Sequence, residues 1–112
     1  MMQARMNNSA DRAKEIAIRV LAGGYDPLLA CRDLSHLRGQ LSGVTDGVMD
    51  TFIGVASEVD DLPIGAEREH WAAEVLRLKD IEAADYRARV KDTVARALQE
   101  LLVALGEANR GI

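Results

Sequence analysis

Residues 72–106, AAEVLRLKDIEAADYRARVKDTVARALQELLVALG, decide the fold, because they run without glycine or proline until Gly106. Val90, Val94, Ala97, Leu101 and Ala104 alternate steps of four and three residues, and Leu98, Leu102 and Leu105 widen the same stripe. That spacing marks one face of an α-helix rather than the alternation of a strand. Asp85 with Arg89 and Asp92 with Arg96 are acid-first i,i+4 pairs on the solvated side. As one straight helix, residues 72–105 span about 51 Å at 1.5 Å per residue. A compact chain of this size has a radius of gyration near 13 Å and a diameter of only about 34 Å. The helix therefore either bends near Lys79–Asp85, where the stripe is poorest, or overhangs and packs on a second copy, giving a homodimer through the C-terminal helix.

Three shorter helices precede it. The first is expected over Ser9–Ala22, with Ala13, Ile16, Ala17, Val20 and Leu21 on one face, Asn8 or Ser9 as cap and Gly23-Gly24 as terminator. The second starts at Asp26-Pro27, a good N-cap followed by proline at the first helical position. Cys31, Leu34, Leu37 or Arg38, and Leu41 mark its inner face up to Ser42-Gly43. The third starts at Thr45 or Asp46, buries Val48, Met49, Phe52, Val55, Ala56 and Val59, and is stopped by Pro63. A buried strand over TFIGV (51–55) is the competing reading, but the helical stripe continues on both sides and no partner strand is visible. The expected fold is all-α: one domain, residues 1–112, forming a compact bundle of about four helices. Helices one and two should form an antiparallel pair packed on the long one, with residues 1–8 and 107–112 frayed.

Composition agrees. The chain has 112 residues, 48% of them hydrophobic and only 4% aromatic, which suits helix-on-helix packing of aliphatic side chains. One cysteine, Cys31, excludes an intramolecular disulfide and falls on a buried stripe, where a structural thiol is expected. No run approaches the roughly 18 apolar residues of a membrane span. The start, MMQARMNNSADR, lacks the apolar stretch of a secretory signal. These features point to a cytoplasmic protein without membrane contact.

Charge is distributed unevenly. Residues 1–45 carry +2, residues 46–69 carry −6 and residues 70–112 carry zero, so the excess negative charge lies in the middle. Phosphate backbones repel such a surface, and no basic stripe with aromatics offsets it, so nucleic-acid binding is not expected. Within the acidic block, SEVDDLPIG (57–65) sets Glu58, Asp60 and Asp61 at a helix C-terminus, where negative charge is disfavoured. Arg68, the one cation of the block, is their expected internal partner. If it leaves them unpaired, Glu58, Asp60, Asp61, Arg68 and Trp71 are candidates for docking a basic protein partner, Trp and Arg being favoured interface anchors.

Metal chemistry is the sharper alternative. Asp33 stands three residues before His36, and Glu67 three before His70, as in the Glu-x-x-His pairs of helical di-iron sites. Such a site needs further inward carboxylates, for which Glu15, Glu58 or Glu82 can be nominated. Coincidence in an acidic chain explains the spacing as well, and no cofactor is expected. Ser35 and Ser57 lack a nucleophile elbow, and Gly23-Gly24 lacks a phosphate-cradling βαβ context.

Residues 52–82, FIGVASEVDDLPIGAEREHWAAEVLRLKDIE, carry Phe52, Gly54, Ser57, Glu58, Asp60, Leu62, Pro63, Gly65, Arg68 and Trp71. The run resembles a pattern of small bacterial cytoplasmic proteins with no assigned activity: Phe-(Ile/Val)-Gly-(Ile/Val)-x-Ser-Glu-x-Asp-x-Leu-Pro-x-Gly-x-x-Arg-x-x-Trp, followed by an acidic helix. CRDLSHLR (31–38) fits more loosely. The resemblance covers about half the chain and implies an all-helical fold without a known reaction. It does not require histidine at positions 36 and 70, which weakens the metal alternative. The preferred expectation is a small interaction or regulatory protein that binds its partner through the acidic 57–71 connector.

Overall fold

A computed structural model describes residues 8–106, and the expected fraying at both termini lies outside them but for Asn8. The described residues form four α-helices and no strand: α1 (Asn8–Leu21), α2 (Pro27–Ser35), α3 (Asp46–Glu58) and α4 (Ala73–Ala104), with a 3₁₀ turn at Ala66–His70 before α4. Residues 51–55 are helical, so the strand reading of TFIGV is set aside. Among the described residues no helix is long and apolar enough to cross a membrane.

Each helix end has a local cause. Asn8 already lies within α1, so any cap for its start falls outside the described residues. At the other end the Gly23 N–H donates to the Val20 carbonyl and the Gly24 N–H to that of Arg19, with Gly23 at φ 87. This pair of bonds is a Schellman close, and the positive φ explains the glycine. The Leu28 N–H donates to Asp26 Oδ1 at 2.9 Å and caps α2, and the Val48 N–H donates to Thr45 Oγ1 at 3.3 Å and caps α3.

α2 ends at Ser35, six residues before the expected Leu41. The Ser35 hydroxyl donates to the Arg32 carbonyl, and the chain continues through i,i+3 turns closed by the N–H groups of Leu37, Arg38 and Gln40. The tighter winding still turns Leu37 inward and packs Leu41 on the core, so the apolar pattern persists beyond the true helix end.

The core is aliphatic around one aromatic ring. Phe52, Leu28, Leu34, Leu98 and Leu101 are fully enclosed, joined by Val59, Val94 and Cys31. α2 packs most extensively on α3 and α1 lies chiefly along α4; the expected pair of α1 and α2 is in contact, and both touch α4, but it is not the main interface. α1 runs antiparallel to α4: its end at Leu21 faces Ala84–Ala95, and Ser9 meets Gln40 near the turn that brings Gly43 to Ala104.

α4 is a single helix of 32 residues, about 48 Å long, without the break considered at Lys79–Asp85. The molecule accordingly measures 51 × 30 × 24 Å with a radius of gyration of 15.1 Å. Its buried residues are Val94, Ala97, Leu98 and Leu101 in the second half, but only Ala83 in the first. The C-terminal half of α4 is core; the N-terminal half overhangs.

Candidate functional site

The connector between α3 and α4 is held at both ends. Leu62 and Pro63 are buried and act as its plug. Arg32 of α2 grips Glu67 with two bonds, Nη2 to Oε2 at 3.0 Å and Nη1 to Oε1 at 3.3 Å. That guanidinium holds the Glu67 carboxyl below its ordinary range. Gly65 makes room for the pair, since a Cβ there would stand 2.9 Å from Glu67 Oε1 and 3.1 Å from Arg32 Nη1.

Arg68 does not pair with Glu58, Asp60 or Asp61. It donates to Asp80 of α4 at 2.7 and 3.1 Å and to the Pro63 carbonyl at 3.0 Å. The expected latch on the acidic run is therefore not made; Arg68 ties the connector to the long helix instead. The partner was hidden because Asp80 is twelve residues away and arrives only when the 3₁₀ turn reverses the chain.

The consequence is an acidic edge that is largely unpaired among the described residues. Among the described residues Asp46, Asp50, Glu58, Asp60 and Glu69 form no ion pair, and Asp61 reaches Lys79 only at 4.0 Å. Glu58 ends α3, whose last turn has no basic residue, and Asp60 and Asp61 follow it into solvent. Two hollows of about 340 and 350 Å³ lie on either side of Ile53, one walled by Asp50 and Arg38, the other by Asp60 and Arg32. Gly54, on the exposed side of α3, has open space where a side chain would stand. A helix-interior glycine costs roughly 0.8–1 kcal/mol against alanine, and among the described residues no close contact or positive φ requires it. Asp50 and Gly54 belong to this edge although sequence reasoning centred on 57–71; the signal for them was an unexplained glycine within a helix.

Trp71 is half-buried and stands outside the core. It precedes the Ala72 N-cap of α4, with Leu76 at the position that completes a hydrophobic staple. Its place is thus at the entry to the overhanging helix, beside the latch rather than on the acidic edge.

The four metal candidates are not assembled. Asp33 accepts the Tyr25 hydroxyl, Glu67 is held by Arg32, and His36 and His70 are exposed at the ends of α2 and of the 3₁₀ turn. Among the described residues no group of three or more His, Cys, Asp or Glu side chains is placed to hold a metal.

Cys31 is enclosed, and burial, followed by the Asp26 charge, pushes its thiol up to about 12. Burial and the bond to Asp33 push the Tyr25 hydroxyl up to about 12 as well. Both groups hold their protons more tightly folded than unfolded, so their contribution is complete below pH 9 and is lost as pH rises toward 12. Urea melts should show a midpoint constant between pH 7 and 9 and falling above it, and Cys31→Ala should remove the earlier part of the fall. At neutral pH the thiol should resist alkylation until the chain unfolds.

No family model matches the chain, and no curated protein or solved structure matches it either.

Proposed function

We propose that the protein is a small interaction module that docks a basic segment of another protein on the edge formed by Asp50, Glu58, Asp60 and Asp61. The carrying observation is the placement of Arg68: the one cation of the block is occupied by Asp80, which leaves Glu58 and Asp60 at the end of α3 without an ion pair among the described residues. Each exposed carboxylate at a helix C-terminus costs about 0.3–1 kcal/mol. A basic partner removes that cost on binding, and the open backbone at Gly54 with the hollows beside Ile53 offers room for its side chains. Arg68 ties the connector to α4 through Asp80, apart from the contact surface.

The test joins stability to binding. Glu58→Gln with Asp60→Asn should raise the unfolding free energy by about 1 kcal/mol, which is on the order of 4 °C in Tm. The same variant should fail to retain, in a pull-down, a protein that the native chain captures at low salt and releases at high salt. Unchanged capture together with lower stability would show that these carboxylates serve the fold.

A further inference from the structure

α1 ends at Leu21 while α4 continues beneath it, and the step between them is a groove of about 500 Å³. Its floor is the α4 face bearing Ala84, Ala88, Lys91 and Ala95. Ala84 and Ala88 lie one turn apart and present no atoms beyond Cβ, so a second helix axis can approach closely there. One turn before the groove the same helix carries Leu78 and Ile81, each 64% exposed. Hollow and projection thus share one rigid element, which is the requirement for a surface that complements itself about a two-fold axis.

We propose that two copies of this chain pair through the overhanging half of α4, the helices crossing antiparallel with Ile81 of each beside Ala88 of the other. This register centres the axis between Ala84 and Asp85, and the same register sets Arg77 opposite Asp92 twice. Both are exposed, and among the described residues neither forms an ion pair within its own chain. The expected Asp92–Arg96 pair is not made, whereas Asp85–Arg89 is, at 3.3 Å. A cation and an anion, a projection and a hollow, each equidistant from one point on one helix, select a second copy over an unrelated helix. The surface lies on α4 and α1, apart from the acidic edge of α3, so it stands independently of the proposed docking function.

Sedimentation equilibrium of the full chain at concentrations up to about 100 µM tests the pairing. The native chain should form dimers. Arg77→Asp or Asp92→Arg alone should weaken the dimer on the order of tenfold, because each reversal creates two like-charge contacts. The two changes together should restore it to within about threefold. Circular dichroism on the same samples checks that these exposed substitutions leave the helices formed. A native chain monomeric throughout, a dimer indifferent to either reversal, or a double variant no better than the single ones would each overturn the proposal.

Discussion

Phe52→Ala is expected to lower the unfolding free energy by ~3–5 kcal/mol, the largest effect of any single truncation in this chain. Phe52 is fully enclosed and is the one phenylalanine of a core otherwise built from aliphatic side chains. Leu, Val and Ala neighbours cannot extend to fill a ring-sized void, so the loss includes the cavity as well as the transfer of the ring. Domains of this size have about 5–15 kcal/mol of stability in all, so the variant should melt roughly 15 °C or more below the parent. A urea melt followed by circular dichroism measures it. A loss below about 1 kcal/mol would mean that α3 does not pack as described.

Asp26→Ala is expected to cost ~2–3 kcal/mol, the largest loss expected at a polar side chain, because one carboxylate does two jobs. Asp26 accepts the Leu28 N–H that starts α2, and it accepts Nε and Nη2 of Arg87 on α4 at 3.0 and 2.9 Å. Removing it uncaps a helix and leaves a partly buried guanidinium without its fork partner. Asp26→Asn separates the two parts, since the amide oxygen still caps the helix but the bidentate ion pair is gone. It should fall between the parent and the alanine variant. Arg87→Ala should resemble Asp26→Asn, and an additive double variant would show that the pair contributes nothing.

The fold was readable because periodicity and punctuation agreed. Asp26-Pro27, Thr45 and Gly23-Gly24 mark helix ends through chemistry that operates over a few residues, and the observed ends lie within a residue or two of them. The misread end of α2 has the opposite cause. Leu37 and Leu41 point inward whether the chain winds as α or as i,i+3 turns, so their spacing could not locate Ser35 as the last residue. Long-range ion pairs were not readable at all. Asp26–Arg87 and Arg32–Glu67 join residues 61 and 35 apart, and nothing local to either names its partner. The same holds for Arg68: proximity in sequence suggested the acidic run, whereas the reversal at the 3₁₀ turn delivers Asp80. At the candidate site, the unbalanced charge was legible from composition. Its uncompensated state depended on where one arginine went.

The latch has a mechanical side. Arg68 grips α4 at Asp80, one turn ahead of the buried Ala83, and Asp26 grips it at Arg87, one turn beyond. The connector and the start of α2 are thus fastened to one stretch of helix about 10 Å long at 1.5 Å per residue. That stretch acts as a brace, holding at a fixed spacing two loops that are far apart in the chain.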